Sequence, residues 1–290
     1  MKKNWIFILI LSFSLMSFSN DNIKTAEDFM GKGDFKTAEK YYKKAINKGS
    51  VEAMLNLGTI YTAQLNINEA EKLYLKAIEN NSDEGYNYLL LLYYGQGKME
   101  LVEKYAKAAI ERGNVFAANI LGMSYLMDEK YDLAEKYLKM AVSKGDTDAL
   151  NNLGLLYTEQ EKYDLAEKYL KMAIEKGNTA AASNLGFLYV ETDRLDLAEK
   201  YLKQSADIDD QIDGILNLAF LYKNQKKYDL AEKYLKKAIA NDSVEGLYGM
   251  SVLSKEQEKY EDAKYYANLA LKKNHPKAEN MLNELKDLGY

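Results

Sequence analysis

The side chains that carry most enzyme chemistry are nearly missing from this chain of 290 residues. It has no cysteine, which excludes disulfides, thiolate metal sites and cysteine nucleophiles together. Its one histidine, His275, stands beside Pro276 near the chain end, where a lone imidazole has neither a second ligand nor a partner base. No Gly-rich phosphate loop, nucleophile elbow or His-x-x-x-His spacing occurs. Carboxylates are plentiful, but they fall in rows four residues ahead of a lysine: Glu39/Lys43, Glu103/Lys107, Glu135/Lys139, Glu167/Lys171, Glu199/Lys203 and Glu232/Lys236. That is the spacing of a solvated helix face, where two converging acid–base groups would be an accident. The chain therefore reads as non-enzymatic, with no cofactor and no metal. What it offers instead are amides, tyrosines and apolar side chains in columns, and the columns define the elements that present them.

An alanine in an Ala-Glu-Lys-like context recurs at Ala38, Ala70, Ala134, Ala166, Ala198, Ala231 and Ala263, with Val102 filling the gap. Successive markers are equally spaced, and only the step from Ala198 to Ala231 is longer, by one. Tyr or Leu follows three residues later (Tyr41, Leu73, Tyr105, Tyr137, Tyr169, Tyr201, Tyr234, Tyr266), and a small residue seven later (Ala45 through Ala270, with Ser205 as the exception). Offsets of 3, 4 and 7 describe one helix face, and a period of this length marks units too small to bury their own apolar sides. Upstream in each unit a Leu-Gly-x-x-Tyr run (Leu57-Gly58 to Tyr61, then Leu121, Leu153 and Leu185 onward) marks a first helix. Asp132 with Glu135, Asp164 with Glu167, Asp196 with Glu199 and Asp229 with Glu232 read as capping boxes that start the second. Gly49, Gly113, Gly145 and Gly177 read as its stop. Mid-helix Gly58, Gly122, Gly154 and Gly186 imply a close helix approach. The tyrosine columns of both helices, which account for most of the 25 tyrosines, read as core. The fold expected is all-α, a right-handed α-α superhelical solenoid of helical hairpins: about eight over 23–275, then a lone capping helix at 276–288. The one longer step puts an extra residue within 206–214, read as a longer turn.

The N-terminus reads as an address. Lys2 and Lys3 precede an apolar run from Trp5 to Phe18, shorter than the roughly 20 residues a helix needs to span a bilayer. Ser17 and Ser19 then offer the small residues a signal peptidase reads. Residues 1–19 are expected to be a signal peptide and 20–290 an exported domain, periplasmic or secreted, that does not insert in the membrane once cleaved. The formal net charge of -5 becomes -7 without the two lysines, a sign that repels nucleic acid and anionic lipid.

With these columns in place the chain resembles the tetratricopeptide repeat and the related Sel-like repeat, over nearly everything after Ile23. The Gly58-to-Ala70 step looks like the tetratricopeptide turn, whereas the connection at 173–178 resembles the Sel-like one. The repeat is shorter than the tetratricopeptide unit of about 34 residues and lacks its usual closing proline, so it reads as a short hybrid of the two. The resemblance implies a non-enzymatic scaffold that holds a peptide or partner protein on a concave surface lined by first helices.

Once the core columns are removed, inward positions on the first helices are Asn56, Tyr88, Ile120, Asn152, Asn184 and Asn217, and beside them Leu55, Asn87, Asn119, Asn151, Ser183, Leu216 and Tyr248. Asn in the first set matches a position that contacts peptide backbone in related tetratricopeptide domains, and an amide offers both donors and acceptors to an extended chain. The competing reading is that these amides bond neighbouring helices or solvent. An apolar strip includes Phe116, Met123, Met127, Leu155, Phe187 and Phe220, adaptable if exposed and bland if packed away. The candidate contacts are therefore Asn56, Asn119, Asn151, Asn152, Asn184, Asn217, Met123, Phe187 and Phe220. Inward acids (Glu52, Glu84, Asp148, Asp213, Glu245, Glu159, Glu191) outnumber Lys223 and Lys255. The electrostatics therefore favour a neutral-to-basic peptide, with an envelope glycan or peptidoglycan as the alternative.

Overall fold

A computed structural model describes residues 21–207 and 212–290. The signal segment expected at 1–19 lies outside them, as does most of the turn expected to hold the extra residue. Among the described residues there are seventeen helices and no strand. First and second helices alternate: α1 (Asp21–Gly31) and α2 (Phe35–Ile46), α3 (Val51–Ala63) and α4 (Ile67–Glu79), α5 (Asp83–Gly95) and α6 (Met99–Glu111), α7 (Val115–Met127) and α8 (Tyr131–Ser143). These form one compact unit, ending at residue 146. The second unit, 147–290, holds α9 (Thr147–Glu159) and α10 (Tyr163–Glu175), α11 (Ala181–Glu191) and α12 (Leu195–Ala206), α13 (Ile212–Asn224) and α14 (Tyr228–Ala240), α15 (Val244–Glu256) and α16 (Tyr260–Lys272), and α17 (Ala278–Asp287). None of these helices is long and apolar enough to cross a membrane.

Packing within a hairpin follows from the small residues. A Cβ on Gly58 would lie 2.4 Å from Tyr74 Cε1, and one on Gly154 would lie 2.4 Å from Leu170 Cγ. Gly122 and Gly186 meet Leu138 and Leu202 in the same way, at 2.6 Å. Each glycine is thus a notch that receives a large side chain from the second helix of its own hairpin. The alanine columns Ala38 to Ala263 and Ala45 to Ala270 are fully buried on the opposing surface.

The helix starts differ from expectation. The N-caps of the second helices lie two residues before the aspartates, at Lys130, Lys162, Arg194 and Lys227, and make no side-chain cap bond. Asp132, Asp164, Asp196 and Asp229 sit inside the first turn, where they favour the positive end of the helix without capping it. Side-chain caps belong mainly to the first helices; among the second helices Asp34 Oδ1 caps α2 by accepting from the Thr37 N–H at 3.1 Å. Ser50, Ser82 and Ser243 Oγ accept from backbone N–H three residues on (3.2, 3.1 and 3.0 Å), and Asn114 and Asn178 Oδ1 do the same (2.9 and 3.0 Å). Gly49, Gly113, Gly145 and Gly177 close second helices with φ between 83° and 91°, as expected of a left-handed stop. The turn inside a hairpin uses the same conformation on residues that pay for it, Glu129, Glu161 and Asp193 among them (φ 58°, 57° and 55°).

The tyrosines are not uniformly core. Those of the first helices (Tyr93, Tyr125, Tyr157, Tyr189, Tyr222) are buried, whereas their second-helix partners (Tyr105, Tyr137, Tyr169, Tyr201, Tyr234) are half-buried and stack on them at 5.4–5.7 Å. The N-cap cation of each turn lies over the buried ring: Lys130 over Tyr125 at 5.7 Å, Arg194 over Tyr189 at 4.4 Å.

Candidate functional site

The Glu–Lys rows on the second helices form at 2.5–2.6 Å, yet they are more than a solvated exterior. Tyr61 Oη donates to Glu39 (2.8 Å), Tyr93 to Glu71 (2.9 Å) and Tyr222 to Glu199 (3.0 Å), each across to the preceding hairpin. The Lys43 ammonium, then the Tyr61 hydroxyl, hold the Glu39 carboxyl below the usual carboxylate range; Lys203 and Tyr222 do so for Glu199. Both partners of this link stand in the repeat columns, but its meaning depends on knowing which hairpin faces which.

First helices touch one another along each unit, α3 to α5 and α5 to α7 in one, and α9 to α11, α11 to α13 and α13 to α15 in the other. Second helices pack against first helices instead. The first-helix side is therefore the crowded, inner side of each unit, and the inward columns lie there. Several amides in those columns bond to protein. Asn119 and Asn151 are buried, and Asn119 Nδ2 points at Asp146 Oδ1 at 3.5 Å. Asn184 Nδ2 donates to Asn151 Oδ1 at 2.7 Å, and Asn217 Nδ2 to Ser183 Oγ at 3.1 Å. Asn151 in turn reaches Asn152 Oδ1 at 3.4 Å. Asn56 lies beside the Tyr42 hydroxyl of the preceding hairpin. Asn184 and Asn217 thus fasten consecutive hairpins, and Asn56, Asn152, Asn184 and Asn217 remain half-exposed.

The apolar candidates divide by unit. Met123 is half-buried in the first, near exposed Met127. In the second, Leu155, Phe187, Phe220 and Val252 take equivalent places on α9, α11, α13 and α15; Phe187 is 42% and Phe220 50% exposed. Three residues toward the C-terminal ends stand Val190, Lys223 and Lys255. Lys223 Nζ lies 5.4 Å from the Phe220 ring and 3.3 Å from Glu256 Oε2, while Lys255 pairs with Glu284. Toward the N-terminal ends stand Asp148, Asp213 and Glu245. The result is a stripe centred on exposed rings and bordered by amides and charge, suited to burying an apolar segment and fixing its direction by polar contacts. His275 belongs to no such site. Its ring stacks on Tyr248 at 4.2 Å, and its Nδ1 accepts the Lys277 N–H at 3.2 Å. Among the described residues no group of acids and histidine is placed to hold a metal ion.

Tetratricopeptide-repeat sequence profiles match residues 23–85, 147–176, 180–212 and 212–243, together more than half of the chain. The chain belongs to the tetratricopeptide-repeat family. Members are in general non-catalytic scaffolds that bind protein partners, and this chain is a repeat scaffold suited to protein–protein interaction. Solved structures agree on the α-α solenoid fold. Yeast Tom70 is 16% identical over 96% of this chain and 67% of its own, with a TM-score of 0.70. A tetratricopeptide repeat protein of Parabacteroides merdae is 18% identical over 92% and 98%, TM-score 0.56. Pseudomonas aeruginosa pilF is 22% identical over 72% and 98%, TM-score 0.55. No curated protein matches the chain.

Proposed function

We propose that this protein is an exported, non-enzymatic scaffold that holds a peptide segment of a partner protein against the inner face of residues 147–290. The observation that carries the reading is the aligned stripe of Leu155, Phe187, Phe220 and Val252, with both of its rings exposed. Isolated exposed apolar residues are ordinary, but side chains in register on successive helices form a continuous surface that water covers poorly. Two of the amides beside the stripe already donate to a neighbouring hairpin, which leaves fewer polar groups for a sugar and favours a peptide over an envelope glycan. Export is supported by the basic start, the short apolar run and the small residues at 17 and 19.

Capture from native envelope extract tests the binding face. A chain carrying Phe187→Ser and Phe220→Ser, shown by circular dichroism to be helical, is expected to lose the partner that the wild type retains. Retention by that variant would remove the proposed face. N-terminal sequencing of the native protein tests export. A mature start near Asn20 in the periplasm or medium is expected, and an intact Met1 in the cytosol would contradict it.

A further inference from the structure

We propose that the inner face of residues 147–290 selects an amphipathic α-helix whose apolar stripe is flanked, on one side only, by lysine or arginine. This rests on the reading of that face as the binding surface and adds which segment it takes.

The rungs set the secondary structure of the partner. Leu155, Phe187, Phe220 and Val252 sit on consecutive first helices, and packed helices lie about 8–10 Å apart, so the rungs recur at about that step. A helix rises about 1.5 Å per residue, so its seventh residue returns to the same face after roughly 10.5 Å. A strand covers the same distance in about three residues, but its side chains alternate, so consecutive rungs would meet opposite faces of it. A helix with heptad-spaced apolar residues meets all four rungs from one stripe, over about 22 residues.

Charge sets the flank. On the C-terminal border Lys223 and Lys255 are already neutralised by Glu256 and Glu284. On the N-terminal border Asp148 accepts from Asn178 Nδ2 at 2.7 Å, while Asp213 and Glu245, on adjacent helices, repel each other and have no ion pair among the described residues. Asp213 and Glu245 are both exposed, within reach of a partner, and the pKa of Asp213 is raised, by its surroundings first and by Glu245 second. Acids in a first turn favour the helix N-terminus, which explains one carboxylate per helix but not two opposed without a cation. His275, near Glu245, supplies none, since burial lowers its pKa. A lysine or arginine on the flank of a helix about 10–12 Å across reaches that border from above the stripe. It would supply the missing charge.

Fluorescence anisotropy with the full chain and three synthetic peptides tests this. All three carry leucine at heptad spacing over about 22 residues: one with a lysine flank, one with a glutamate flank, and one with the lysine flank interrupted by proline. At low salt the lysine helix is expected to bind about tenfold more tightly than the glutamate helix, and the gap is expected to close in high salt. It is also expected to close in the Asp213→Asn/Glu245→Gln chain, and the proline peptide is expected to fall away. Equal binding of lysine and glutamate helices, both lost in the Phe187→Ser/Phe220→Ser chain, would overturn the charge selection and leave the binding face standing. A proline peptide as tight as its helical parent would overturn the helix. Unchanged binding to the Phe187→Ser/Phe220→Ser chain would overturn the binding face itself, and failure of every peptide to bind would overturn the inference.

Discussion

Single atoms decide how closely these hairpins close. Gly154 gives up about 1 kcal/mol of helix propensity relative to alanine, and Leu170 fills the space so left. Gly154→Ala is therefore expected to destabilise despite the better helix former, because overpacking costs about 1–3 kcal/mol; a net loss of about 1–2 kcal/mol should appear in urea unfolding. Leu170→Ala in the same chain should recover part of it, and a stabilised Gly154→Ala would show that the helices are not in contact there. The tyrosines set the alkaline limit. Burial, the first cause, pushes Tyr42, Tyr74 and Tyr125 up to about 12, against about 10 when unfolded. A raised folded pKa contributes stability that is complete below pH ~10 and lost as pH climbs toward ~12. Urea midpoints should thus hold flat to about pH 9.5 and fall beyond it. A flat profile through pH ~12 would contradict the burial. At this scale the glycine notches and left-handed stops were legible, because a mid-helix glycine and a glycine after an apolar face each have few physical explanations. The Tyr–Glu bonds between hairpins were not, since Glu39 with Lys43 already makes a complete local pair and nothing nearby in sequence points to Tyr61.

At the level of the helix, the repeat period sufficed to assign two helices per unit, since offsets of 3, 4 and 7 admit no strand. The starts of the second helices were misplaced by two residues because Asp-x-x-Glu fits two registers, N-cap to N3 and one turn-interior alternative. The inner columns were legible as columns, but whether an amide on them faces water depends on the neighbouring hairpin, as Asn151 under Asn184 shows. The last helix illustrates how stability passes along such a chain. In α17, Met281 and Leu285 are buried against Ala263 and Ala267 of α16, with Tyr248, Val252, Tyr260 and Leu282 packed around them. Leu285→Ala should cost about 2–4 kcal/mol. Because each hairpin leans chiefly on its neighbours, amide hydrogen exchange should quicken in α15 and α16 well before α9 and α10. Uniform quickening across residues 147–290 would mean that the unit unfolds as one body rather than hairpin by hairpin.

For the whole molecule, what matters is that first helices crowd one side of each unit and that, in 147–290, this side keeps aligned rings in contact with water. Site-specific photocrosslinking in the native cell addresses that most directly, with a photoreactive phenylalanine placed at Phe187 or Phe220 on the inner face and at exposed Lys200 on a second helix. The expected result is one partner, attached from 187 and 220 and absent from 200. Attachment of the same partner from 200 alone, or from all three positions alike, would contradict an inner binding face.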